Sequence, residues 1–273
     1  MKLASKVAIV TGAGSGLGRE IALEYAREGA CVGVLSIIQV QVASVVEECK
    51  AFGGAAIGAC ADVTLEVDVR DFVEKTVRRF GRLDILVNAA GIDLTDLDFE
   101  SRLIQNLSLE AWRSVFRVNV EGTFLCTREA VPHMIRTDGG SIINFSSGTV
   151  RFPIQAYGPY TSSKFAIEGF TKVAAQELEK HNIRVNCLQP GGVTDTAIVP
   201  EWMKLEHPSQ LHEPAVIRAC AAYLASDESA FVTGRSLVAT EWNKERNIVL
   251  CPCPTCRTRT PRLALEWRGA TAL

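Results

Sequence analysis

Residues 7 to 18 constrain the fold of this chain more than any other stretch. Val7, Ala8, Ile9, Val10 and Thr11 make an uncharged, largely β-branched run, and Gly12, Gly14, Gly16 and Gly18 follow at once. Beyond them, Arg19 to Ala26 reads as an amphipathic helix. The pattern is a buried strand, a tight turn and a helix. Glycines in such a turn let the backbone approach a bound group closely. The free N–H groups at the helix start attract an anion such as a pyrophosphate.

The rest of the chain repeats this alternation. Helical stretches are expected at about 16–28, 39–52, 67–80, 109–136, 160–180 and 214–225. They separate apolar strands at 7–11, 31–35, 56–61, 84–88, 141–146, 183–188 and 235–239. Strands separated by helices imply a parallel sheet covered on both faces. The expected fold is therefore α/β, a single doubly wound parallel sheet of about seven strands, over residues 1–241. At 273 residues, 47% hydrophobic and 22% charged, the chain can bury a substantial core. A ligand would lie across the carboxyl ends of the strands, where Gly12, Asp62, Asn88, Ser147 and Pro190 all fall.

Charge and hydropathy narrow the function. Twenty-nine basic against 31 acidic residues give a net charge of −2, which offers no electrostatic capture of nucleic acid. Met1 to Lys6 runs straight into the first strand without an apolar leader, so no signal peptide is expected and a cytoplasmic location is. Gly29 to Val46 carries no charge, yet Gly33, Ser36, Gln39 and Gln41 interrupt it. It is read as strand, turn and helix start, with no membrane contact expected.

Chemistry enters with Ser147, Tyr160 and Lys164. A tyrosine and a lysine at i and i+4 share one helix face, about 5 to 6 Å apart at Cβ. The ammonium is expected to favour the phenolate and pull the phenol below its usual value near 10. Ser147 can then hold a substrate oxygen while Tyr160 passes the proton. By strand alternation Ser146 points to the opposite face. Tyr157 has Thr161 at i+4 and so lacks a cationic partner.

In chain order, the Gly12 to Gly18 turn, Asp62-Val63, Asn88-Ala89-Ala90-Gly91, Asn119, Ser147, Tyr160-x-x-x-Lys164 and Pro190-Gly191 resemble the short-chain dehydrogenase/reductase family over residues 3 to about 240. The resemblance implies a Rossmann-type fold and an NAD(P)-dependent oxidoreductase. Hydride would move between a nicotinamide cofactor and a carbonyl or secondary alcohol. Tyr160 would be the acid or base, Lys164 would lower its pKa and bind the nicotinamide ribose, and Ser147 would orient the carbonyl. Asn119 would hold a water linking Lys164 to solvent protons. The cofactor would contact Gly12, Ser15, Gly16, Leu17, Gly18, Ser36, Asp62, Val63, Asn88, Ala89, Gly91, Tyr160, Lys164, Pro190, Gly191 and Val193. The alternative is a dinucleotide-binding scaffold or sensor without turnover.

Departures from the family pattern carry information too. Ser36 stands at the end of the second strand, where NAD-binding members usually carry an acidic residue. Its loss removes repulsion against a 2′-phosphate, so NADP(H) is favoured over NAD(H), although no arginine or lysine follows. Ala89 replaces a second asparagine, and Asp195 stands where a threonine is usual, leaving Thr194 or Thr196 to replace it. Phe152, Pro153, Tyr157, Trp202 and Met203 imply a pocket for an apolar ketone or alcohol. Asp93, Asp96, Asp98 and Glu100 read as a solvated loop.

Of nine cysteines, six are scattered through the core and read as small buried hydrophobes. Cys251, Cys253 and Cys256 lack a fourth ligand, so no metal is expected. Residues 242–273 read as a poorly ordered extension. In relatives this end packs at a subunit interface, so a homo-oligomer is expected, a dimer through the helices at 109–136 and 160–180, with the tetramer in doubt.

Overall fold

The computed structural model describes residues 1–199 and 201–248. Seven strands form one sheet: β1 (Val7–Thr11), β2 (Cys31–Ser36), β3 (Ala56–Cys60), β4 (Ile85–Asn88), β5 (Gly140–Phe145), β6 (Ile183–Gln189) and β7 (Ser236–Val238). They pair in the order β3-β2-β1-β4-β5-β6-β7, all parallel. The helices are α1 (Gly16–Arg27), α2 (Gln39–Ala51), α3 (Glu66–Phe80), α4 (Leu109–Phe116), α5 (Gly122–Arg136), α6 (Gly158–Leu178), α7 (Glu201–Glu206), α8 (Arg218–Ala225) and α9 (Ala239–Glu245).

The uncharged strands follow from burial on both faces. Along β1, Ala8 and Val10 pack with Ile21 of α1, Val42 of α2 and Leu224 of α8. Val7 and Ile9 face the other way, toward Phe72 of α3, Met134 of α5 and Ala174 of α6. Each large apolar side chain so enclosed contributes about 1.5–3 kcal/mol. An alternating polar pattern would have left one layer of helices with nothing to pack on. The direction in which successive strands are added to the sheet reverses between β1 and β4, which opens a crevice at their carboxyl ends. There Thr11 is in register with Asn88, and Asn88 with Asn144.

Three local features differ from expectation. The stretch read as one helix over 109–136 is split by a wider π turn at Arg117–Glu121, which contains Asn119. Such a turn leaves a residue out of the regular ladder and is common at functional sites. The loop after β6 contains α7, and a bridge pairs Thr194 with His212.

The third difference is at the carboxyl end, where order was expected to cease near Glu241. Instead α9 continues to Glu245, with Trp242 buried and packed at a tilt against Tyr223, their centroids 5.2 Å apart. Asn243 Nδ2 donates to the Val216 carbonyl at 2.8 Å. Thr240 N donates to the Pro190 carbonyl at 3.2 Å, so this helix braces a turn at the crevice. Cys251, Cys253, Cys256 and the remainder of the tail to Leu273 lie outside the described residues. Gly29 to Val46 forms β2 and the start of α2, and no described helix is long and apolar enough to cross a membrane.

Candidate active site

The glycine turn sits at the head of β1. Gly12 has φ +62°, and a Cβ on Gly18 would lie 2.4 Å from the Gly12 carbonyl oxygen, so only glycine closes this turn. Arg19 N makes the first helical bond, to Ser15 O, and the first turn of α1 holds no acidic residue. The N–H groups of Gly16, Leu17 and Gly18 precede that bond and have no acceptor within the helix. Beside the turn, Thr11 Oγ1 accepts from the N–H groups of Ala89 and Ala90, both at 3.1 Å, and locks the β4 loop against β1.

Asn88 donates to Asn144 Oδ1 at 2.8 Å and Thr127 Oγ1 at 3.2 Å, stitching β4 to β5 and α5. At the end of β3, Asp62 Oδ1 accepts from Thr64 N at 2.8 Å, and Val63 is buried against Gly122. Ser36 is buried at the end of β2 beside Gly14, while Ile37 and Ile38 are exposed.

The turn after β6 is equally constrained. Gly191 has φ +98°, and a Cβ there would strike Thr240. Val193 O accepts from His212 N at 2.8 Å. Thr194 is buried and turned back on the Gly192 carbonyl. Thr196 instead lies against Gly16, which leaves it the better placed of the two threonines toward the glycine turn.

Ser147, Tyr160 and Lys164 come together as their spacing requires. Lys164 is buried, donates to the Phe145 carbonyl at 3.0 Å and stands 5.3 Å from the centroid of the Tyr160 ring. Ser147 lies close enough to the Tyr160 phenol to lower its pKa and accepts from Thr149 N at 3.2 Å. Ser146 Oγ turns the other way and donates to Glu168 at 2.7 Å. Tyr157 meets Tyr160 edge to face, with centroids 6.3 Å apart.

The electrostatics correct one expectation. Burial pushes the Tyr160 phenol up to about 12, with Ser147 acting against it. Burial also pulls Lys164 down to about 8. In the chain alone desolvation therefore outweighs ammonium–phenolate attraction. The geometry explains why: the ammonium sits over the ring and spends a donor on Phe145.

The Asn119 side chain has partners on both sides of the site. Its Oδ1 accepts from Ile92 N at 2.8 Å, while Nδ2 donates to Ile92 O and to Ser163 Oγ, both at 3.0 Å. Ser163 in turn donates to Tyr160 O at 2.7 Å. The amide is committed to clamping the β4 loop onto α6. Gly91 lies against this clamp, since a Cβ on it would be 3.2 Å from Asn119 Oδ1 and 3.7 Å from Lys164 Nζ.

Sequence reasoning missed Ser163, whose only signal was its place one turn after Tyr160. It also missed Asp93 and Arg102. Asp96, Asp98 and Glu100 are exposed as expected, but Asp93 is partly buried beside the tyrosines. A cavity of about 530 Å³ lined by Lys6, Arg82, Arg184 and Phe231 opens at the opposite, amino-terminal edge of the sheet, far from this chemistry.

Fold and site together define a short-chain oxidoreductase architecture, and the sequence comparisons agree. The short chain dehydrogenase family profile matches residues 6–206, and the chain belongs to that family. It is 39% identical over 248 residues to a short-chain type dehydrogenase/reductase of Picea abies, covering 85% of this chain and 90% of the relative. It is 35% identical over 241 residues to the cyclohexanol dehydrogenase of Acinetobacter sp. strain SE19, covering 87% and 94%. Among solved structures, carveol dehydrogenase from Mycobacterium avium in complex with NAD superposes with a TM-score of 0.80 at 28% identity, covering 87% of this chain and 96% of that one.

Proposed function

We propose that the chain transfers hydride between a nicotinamide dinucleotide and a carbonyl compound or secondary alcohol of apolar skeleton. The observation that carries the reading is Ser147, Tyr160 and Lys164 gathered at the crevice that also holds the glycine turn. The cofactor, when bound, supplies or accepts the hydride.

The residues present fit a dinucleotide. Its diphosphate would lie on the Gly12–Gly18 turn with Ser15, where N–H groups are free and no carboxylate repels it. Asp62 and Val63 would flank the adenine, and Asn88, Ala89 and Gly91 would line the middle. Lys164, Pro190, Gly191 and Val193 would hold the nicotinamide end. NADP(H) is favoured over NAD(H) because Ser36 presents no carboxylate at the end of β2.

Tyr160 donates the proton in reduction and takes it in oxidation, and its high pKa in the chain alone suits the donor role. Ser147 orients the substrate oxygen and stabilises its developing charge. Lys164 lies beneath Tyr160 and supplies positive potential. Asn119 acts as a positioning residue through Ile92 and Ser163. Phe152, 72% exposed, and Ile154 offer apolar cover at the rim of the pocket.

The same reading places the protein in the cytoplasm as a homo-oligomer. Six described cysteines are free thiols, as a reducing compartment maintains. Phe124, Phe165 and Val173 are about half exposed on α5 and α6, a surface suited to pairing with a second copy.

The test is titration with NADPH and separately NADH, following nicotinamide fluorescence, then addition of ketones. Binding with ketone-dependent oxidation supports the proposal. Binding without turnover across a broad panel would leave a dinucleotide-binding scaffold in its place.

A further inference from the structure

The loop between β4 and α4 brings a charged cluster to the active site that hydride transfer does not need. Asp98 accepts from Ser101 N at 2.9 Å and Ser101 Oγ at 2.8 Å, and this fixes the short turn that ends in Arg102. The Arg102 guanidinium lies 5.8 Å from the centroid of the Tyr157 ring, which is packed edge to face on Tyr160. Burial raises the pKa values of both tyrosines, Asp93 lies close enough to add to the rise, and Arg102 opposes it at Tyr157. Burial raises that of Asp93 itself, and the Leu94 backbone N–H and then Arg102 act against the rise.

Three atoms of this cluster are buried without a hydrogen-bond partner: Arg102 Nε, Arg102 Nη1 and Asp93 Oδ2. Two are donors and one is an acceptor, and they do not bond to each other. Leaving such groups orphaned is costly, so their placement beside the reacting oxygen points to an occupant. A methylene satisfies none of them. A carboxylate would satisfy Arg102 but meet the Asp93 anion. A hydroxyl accepts from the guanidinium and donates to the carboxylate, and so completes both.

We propose that Arg102 and Asp93 form a hydroxyl-recognition subsite, so that the substrate is a diol or hydroxy ketone whose second oxygen lies beside Tyr157. This rests on the hydride-transfer reading above and adds a polar anchor to the apolar skeleton.

The test compares kcat/KM for cyclohexanol with that for cyclohexane-1,2-, 1,3- and 1,4-diol, in the wild type, Arg102→Met and Asp93→Asn, with cofactor fluorescence confirming folded protein. A site built to bond a hydroxyl discriminates strongly against its absence, so at least one diol should be preferred by about tenfold or more. The preference should fall to within about threefold of unity in Arg102→Met. Asp93→Asn keeps an acceptor and should retain more of it. The wild-type comparison stands even if a variant misfolds. Equal use of cyclohexanol and every diol, or a preference that survives Arg102→Met, overturns the subsite alone. Oxidation of none of these alcohols by cofactor-bound protein overturns the hydride-transfer reading and the subsite with it.

Discussion

Lys164 carries a stability cost that its chemistry requires, and the cost can be measured. The residue is 4% exposed, and burial draws its pKa from 10.5 to about 8. At about 1.4 kcal/mol per pH unit, holding the charge in place costs roughly 3 kcal/mol. Replacement by methionine removes the charge and keeps most of the volume, but it orphans the Phe145 carbonyl that Lys164 now bonds at 3.0 Å, at about 1 kcal/mol. Lys164→Met should therefore be more stable than the wild type at pH 7 by about 2 kcal/mol, or roughly 4 °C or more in Tm. The sign of the pH dependence follows from linkage. Because the folded pKa lies below the unfolded one, the unfolded chain binds more protons between about pH 8 and 10.5. Wild-type stability thus gains on the variant across that window, and the difference is constant below it. Urea unfolding of cofactor-free protein followed by circular dichroism, from pH 6 to 10.5, measures this. A variant less stable than the wild type at pH 7, or a difference that does not shrink between pH 8 and 10.5, would refute the reasoning.

Other outcomes follow from the same geometry. Ser147→Ala removes one hydrogen bond to the reacting oxygen and should lower kcat by about 10²–10³-fold with little change in cofactor affinity, as steady-state kinetics would reveal. Trp242→Ala empties a buried site between α8 and α9 and should cost about 3–5 kcal/mol in chemical denaturation, whereas a loss below about 1 kcal/mol would mean that α9 is not part of the core. Gly18→Ala puts a methyl where 2.4 Å separates it from the Gly12 carbonyl, and isothermal titration should show cofactor binding weakened at least about tenfold.

Much of this was legible in the residues because the constraints are local. A continuous β-branched run can be satisfied only between two apolar layers, so the order of strands and helices followed from periodicity. Tyr160 and Lys164 meet because four residues make one helical turn. What the sequence hid depends on long-range packing. The sign of the Tyr160 shift is decided by how completely the phenol is desolvated and by Lys164 bonding the Phe145 carbonyl, and neither is a matter of spacing. Asn119 was picked out by motif, but its partners, Ile92 and Ser163, lie far away in sequence. Asp93 read as part of a solvated loop with Asp96, Asp98 and Glu100 because nothing local distinguishes it from Asp96, and Arg102 carried no signal of its own. Only the fold of that loop beside Tyr157 partly buries Asp93 and exposes Asp96. Likewise, the lack of a clear period after Glu241 concealed that Trp242 fills a gap beside Tyr223.

The central claim is that Tyr160 moves the proton as hydride is transferred, and Tyr160→Phe tests it most directly. Once a turned-over alcohol is in hand, the variant and the wild type are compared for cofactor binding by fluorescence and for turnover at saturating cofactor. The account predicts unchanged cofactor affinity and a loss in kcat of about 10²-fold or more. Equal turnover in the two proteins would contradict it.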